Sequence, residues 1–183
     1  MSDTAIAEHP TVLDPVRHMR LVNDLDHIAS IAGISRSFIR QSMLPHCDSV
    51  EIDYVTNFRL YRESVPGLLV IGKPDTGTRC NAMCGALIRN FIDARVISLI
   101  KLLDASEGRE VPDPTVMIIP NFYMSSYGKT LPAWKIAAIY DILLQRQAEN
   151  KPTVIAMDSY AGMQQSYGAS ISDHLKNYKG HGK

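Results

Sequence analysis

The sequence predicts an α/β protein in which a parallel sheet of about four to five strands is flanked by helices in three layers. Four short runs, LLVI at 68–71, RVISL at 95–99, TVMII at 115–119 and TVIAM at 153–157, have the apolar, β-branched make-up of buried strands. The segments between them are long enough to be helical crossovers, which parallel strands require. The first run also passes into a glycine-bounded loop and then a helix, VPGLLVIGKPDTGTRCNAMCGAL at 65–87, the strand–loop–helix layout of a phosphate-binding loop.

In chain order, residues 1–12 are polar and without period, as in a flexible tail. Asp14 and Pro15 suit a cap and first helical position. Val16, Met19, Leu21, Val22, Leu25, Ile28 and Ala29 then predict one amphipathic helix over 14–31 that ends at Gly33. Its apolar face either packs on the domain or docks a partner. Residues 32–47 hold a short helical turn broken at Pro45. Ile52, Val55, Phe58 and Leu60 or Tyr61 predict a helix over 51–64 leading into the first strand.

After the loop, Met83, Ala86, Leu87 and Ile88 mark a helix, the second strand follows at 95–99, and a short helix or loop occupies 101–110. The third strand ends at Ile119, and a loop follows that contains Gly128. The longest helix spans 131–150, with Trp134, Ala137, Ala138, Tyr140, Ile142, Leu143 and Leu144 on a broad apolar face. The fourth strand is 153–157, and two short helices cover 160–167 and 169–177.

Composition bounds the function. A chain of 183 residues, 45% apolar, suits one cored domain with a short extension. Nineteen basic residues balance nineteen acidic ones, so no broad positive field argues for tight nucleic-acid binding. No apolar run approaches the roughly 20 residues of a membrane span, and MSDTAIAEHP lacks a signal-peptide layout, so a cytoplasmic location is expected. Cys47, Cys80 and Cys84 are odd in number and read as free thiols. His46 beside Cys47 lacks a second ligand pair at zinc-like spacing. Cys80 and Cys84, a helical turn apart near a helix N-terminus, could act as a redox pair, although C-x-x-x-C is not the usual redox spacing.

The candidate site is the degenerate phosphate loop: Gly72, Lys73, Asp75, Gly77, Thr78 and Arg79. Gly72 and Gly77 stand five residues apart, as G-x-x-x-x-G-K-[ST] requires, because glycine lets the backbone aim its N–H groups at phosphate oxygens. Thr78 stands where a lysine should reach the β and γ phosphates, and Arg79 where a hydroxyl should hold magnesium. Two readings follow. The glycines serve only the turn, or Lys73 and Arg79 supply a substitute positive charge.

The ordered set AGISRSFIRQSM, LLVIGKPDTG, TVMIIPNFY, the tryptophan-bearing helix running into AENKPTVIAMDS, and YGASISDHLKN resembles the ATPase domain of DnaC/DnaI-type helicase loaders and IstB transposition helpers of the AAA+ superfamily. The likeness covers about residues 32–177. It implies an AAA+-like P-loop fold, with residues 1–31 as tail and amphipathic helix, 32–177 as the domain, and 178–183 as a basic C-terminal tail. In that family, Asp-Glu after the third strand organises magnesium and activates water; here Pro120 and Asn121 follow Ile119. The family's sensor Asn aligns with Asp158, and its trans-acting arginines align with Ser170 and His174.

The resemblance therefore implies a pseudo-ATPase accessory protein of DNA replication, phage- or element-encoded, with no cofactor. The alternative is an active loader that binds ATP or ADP with magnesium. The implied partner is a replicative DNA helicase or helicase loader, contacted through Leu21, Leu25, Tyr123 and Trp134. Single-stranded DNA is a further candidate for the basic tail bearing Lys176, Lys179 and Lys183. With the nucleotide chemistry and the arginines absent, a monomer or small dimer is expected.

Overall fold

The computed structural model describes residues 11–106, 112–127 and 131–181. Strands β1 (Gly67–Ile71), β2 (Ala94–Val96), β3 (Val116–Tyr123) and β4 (Thr153–Met157) form one all-parallel sheet in the order β1-β4-β3-β2. The helices are α1 (Met19–Asn23), α2 (Leu25–Ala32), α3 (Arg36–Arg40), α4 (Ser49–Thr56), α5 (Phe58–Ser64), α6 (Thr76–Arg89), α7 (Leu99–Ser106), α8 (Ala133–Ala148), α9 (Tyr160–Tyr167) and α10 (Ala169–Leu175). Successive side chains of a strand face opposite sides. Leu68, Val70, Val116, Ile118, Val154 and Ala156 pack with α2, α3, α4 and α6. Leu69, Met117, Ile119, Ile155 and Met157 pack with α7 to α10. Both faces are covered, which is why the strands read as continuous apolar runs. The result is a P-loop-like three-layer α/β fold. Among the described residues no helix is long and apolar enough to cross a membrane.

Several boundaries differ from expectation for local reasons. The N-terminal segment is two short helices, α1 and α2, with Asp24 between them at φ −108° and ψ 19°. Asp14 does cap the preceding turn, its Oδ1 accepting from the N–H groups of Val16 and Arg17, and Gly33 ends α2 in the left-handed conformation at φ 72°. The helix expected over 51–64 begins earlier, behind an Asp48–Glu51 capping box, and is interrupted at Asn57 between α4 and α5. The second strand covers only Ala94–Val96, because the chain turns into α7 at Leu99.

The third strand runs four residues past Ile119. Ile119 pairs with Ile155 and Tyr123 with Met157, so the strand carries extra residues opposite one step of β4. Pro120 lies in that irregularity, where a ladder N–H is not needed. The chain's C-terminal segment is not a solvated tail where it is described. Leu69 N–H donates to Lys179 O (2.8 Å) and Lys179 N–H donates to Gly67 O (3.0 Å), a parallel bridge on the free edge of β1. Tyr178 is buried beneath it. Gly67 makes this close approach feasible: a Cβ there would lie 1.9 Å from Thr153 O and 2.5 Å from the Tyr178 ring.

Candidate functional site: a self-neutralised phosphate loop

Strand β1 leads through α6 on one face toward β2, whereas β4 leads through α9 and α10 on the other face toward the opposite edge. The carboxyl ends of β1 and β4 therefore flank the switch point of the sheet, where open α/β sheets bind ligands. The residues of the candidate loop lie there. Gly72 adopts φ 61° and its N–H donates to Met157 O at 2.9 Å, tying the loop to β4. A side chain there would be strained by the backbone angle, since its Cβ would meet Asp158 O only at an ordinary 3.5 Å. Asp75 caps α6 at φ 51°. Gly77, Thr78 and Arg79 fall within the first turn of α6, and a Cβ on Gly77 would meet open space. Pro74 removes one N–H from the loop.

The loop's two cations already have anions. Lys73 Nζ lies 2.7 Å from Asp48 Oδ2. Arg79 Nη1 donates to Glu51 Oε2 at 2.6 Å and lies 3.7 Å from Asp48 Oδ2, while its Nε donates to Pro74 O at 3.1 Å. Glu51 Oε2 also accepts from Asp48 N–H at 2.7 Å, closing the capping box of α4. The Glu51 side chain is 3% exposed, and its second oxygen, Oε1, is buried with no hydrogen-bond partner among the described residues. Burial pushes the Glu51 carboxyl up, against the pull of Asp48 N–H and Arg79. The Lys73 ammonium bonded to Asp48 holds that carboxyl below its usual range.

The third-strand and fourth-strand positions have structural tasks. Asn121 Oδ1 accepts from Leu99 N–H at 3.4 Å, at the start of α7. Asp158 Oδ2 accepts from Ser125 N–H at 2.6 Å, holding the short 3-10 turn Ser125–Tyr127 at the end of β3. His174 is buried between Tyr140 and Tyr178 rather than presented outward, and burial lowers its pKa.

A magnesium-nucleotide does not fit this set of side chains. Its expected cations are paired, Pro120 and Asn121 within β3 offer no carboxylate for a metal, and Asp158 adds negative charge.

Cys80 and Cys84 lack the exposed, low-pKa thiol of a redox pair. Cys80 and Cys84 are fully buried, and desolvation raises both thiols, that of Cys84 to about 12. Cys47 is buried too, its thiol pushed up to about 12, and it donates to Arg79 O at 3.8 Å. His46 packs edge-on against Phe38. Among the described residues no three His, Cys, Asp or Glu side chains gather as metal ligands.

The expected partner residues separate. Leu21 and Leu25, each 5% exposed, belong to the core beneath α6. Tyr123 is half-buried, edge-on to Tyr167 and packed against Gly162. Trp134 is exposed at 53%, with the Lys135 ammonium 5.0 Å from its ring. Exposed apolar side chains of the N-terminal segment include Val12, Val16, Met19, Val22 and Ile31, and Phe91 from beyond α6 stacks on His18 beside them. In the tail, Lys176 pairs with Asp173 (2.6 Å) and Lys179 with Asp53 (2.7 Å). Lys183, the residues 1–10 and Gly128 lie outside the described residues.

Sequence reasoning missed Asp48 and Glu51. Their capping pattern, an acid followed three residues later by Glu, is legible locally. That the same carboxylates reach the loop 28 residues away is a tertiary fact without a local signal. No protein-family model and no curated protein matches this chain.

Proposed function

We propose that this protein is a non-hydrolysing, helicase-loader-like accessory protein of DNA replication that acts by binding a replicative helicase or a loader. The observation that carries the reading is the pairing of Lys73 and Arg79 with Asp48 and Glu51, which leaves a P-loop-like scaffold without free charge for a triphosphate. The resemblance to DnaC/DnaI-type AAA+ domains supplies the partner class, and the order of segments is its support. Contact then falls to exposed side chains: Trp134 on α8, and Met19, Val22 and Phe91 around the N-terminal helices. The tail lysines Lys176 and Lys179 are engaged within the chain, so DNA contact is a lesser part of the reading.

The test is a binding titration of the purified protein against a purified hexameric replicative helicase, with and without magnesium-ATP. Binding independent of nucleotide, weakened at least about tenfold by Trp134→Ala or by Met19→Asp with an unchanged melting temperature, is expected. Binding that requires ATP, or no binding to helicase or loader at all, contradicts the reading.

A further inference from the structure

We propose that the carboxylates of Asp48 and Glu51 act as an internal anion that occupies the cation pair of the phosphate loop, Lys73 and Arg79, and holds the loop closed to polyphosphate. The inference rests on the reading of the loop as nucleotide-free and goes further by naming what keeps it so.

The geometry is that of a seated ligand rather than of scattered surface pairs. Both carboxylates come from one helical turn, the start of α4, and both reach the same loop. Asp48 Oδ2 touches both cations, at 2.7 Å from Lys73 and 3.7 Å from Arg79, as a bridging phosphate oxygen would. Glu51 Oε2 takes Arg79 at 2.6 Å from beneath, and its side chain is almost wholly buried. The unpartnered buried Oε1 shows that the carboxylate is held there despite incomplete satisfaction. Arg79 is fixed further by its bond to Pro74 O, so the guanidinium staples the loop backbone to α4.

Lys73 and Arg79 contribute two positive charges, Asp48 and Glu51 two negative ones, and exposed Asp75 one more. A polyphosphate approaching the N-terminus of α6 meets a net negative cluster, although the backbone there would otherwise favour an anion. To enter, it must strip Arg79 from Glu51 and leave that buried carboxylate without its counter-ion, which is costly. Replacing both acids by their amides reverses the local balance and keeps the caps, because Asn caps helices as Asp does and Gln can accept the reciprocal bond.

The test titrates inorganic tripolyphosphate, free of magnesium and at fixed ionic strength, into the full-length wild type, Asp48→Asn and the double variant Asp48→Asn/Glu51→Gln. The double variant is expected to bind at least about tenfold more tightly than wild type, a gain lost on adding Lys73→Ala or Arg79→Gln. Asp48→Asn alone, whose side chain is partly exposed and leaves Glu51 with Arg79, is expected to fold and to show a smaller gain lost with Lys73→Ala. It decides the question if the double variant unfolds. Folded variants with wild-type affinity overturn the proposal, as does a gain that survives loss of both cations. Wild-type affinity by itself judges the nucleotide-free reading, whereas the ratio of variant to wild type judges the internal anion, so the two fail separately.

Discussion

Asp53 shows how single side chains tie the last segment to the sheet. Its carboxylate accepts from Lys179 Nζ, Tyr61 Oη and Asn57 Nδ2, each at 2.7 Å. These bonds, that of Lys179 foremost, hold its pKa down at about 2 from an ordinary 3.8. Because the folded value is the lower one, the contribution to stability is complete above 3.8 and is lost as pH falls through about 2. Melting curves of wild type and Asp53→Asn should differ at neutral pH and converge as pH drops through that window; a gap that persists unchanged at acid pH contradicts this role. Gly85 matters by closeness instead. A Cβ on it would lie 2.1 Å from Phe38 O and 3.0 Å from Ile39 N, so α6 and α3 touch backbone to backbone. Gly85→Ala should cost about 1–3 kcal/mol in urea unfolding, and an unchanged midpoint would rule out the contact as drawn.

At the level of elements, the pair α1–α2 belongs to the body of the domain. Leu21 and Leu25 share a core with Leu68, Val70 and the buried face of α6, and Leu13 joins them from the preceding segment. Leu21→Asp and Leu25→Asp should each destabilise the fold by about 3 kcal/mol or more, because an unpaired charge would be buried. A variant that keeps its melting temperature but loses a helicase partner would restore these residues to a docking role. Strand β4 and helix α9 were legible to the residue: Thr153–Met157 is buried throughout, and Ser159 caps α9 through Gly162 N–H. The breaks at Asp24 and Asn57 were not, since neither residue interrupts the apolar spacing that carries the helical signal. The extension of β3 through Pro120 was hidden because proline reads as a strand breaker, whereas pairing of Tyr123 with Met157 accommodates it beyond an irregularity.

For the whole molecule, the sheet order and the loop after β1 place a P-loop-like scaffold around a switch point whose two cations are paired within the chain. The sheet and the altered loop residues were readable from sequence, since apolar runs and glycine spacing are local. The cancelling acids were not, because nothing near Asp48 or Glu51 in sequence points to Lys73 or Arg79. We propose that this scaffold holds no nucleotide. Titration calorimetry of magnesium-ATP into the wild-type protein tests it most directly: the account predicts no saturable binding below the millimolar range and no turnover, whereas micromolar affinity, or hydrolysis abolished by Lys73→Ala, would contradict it.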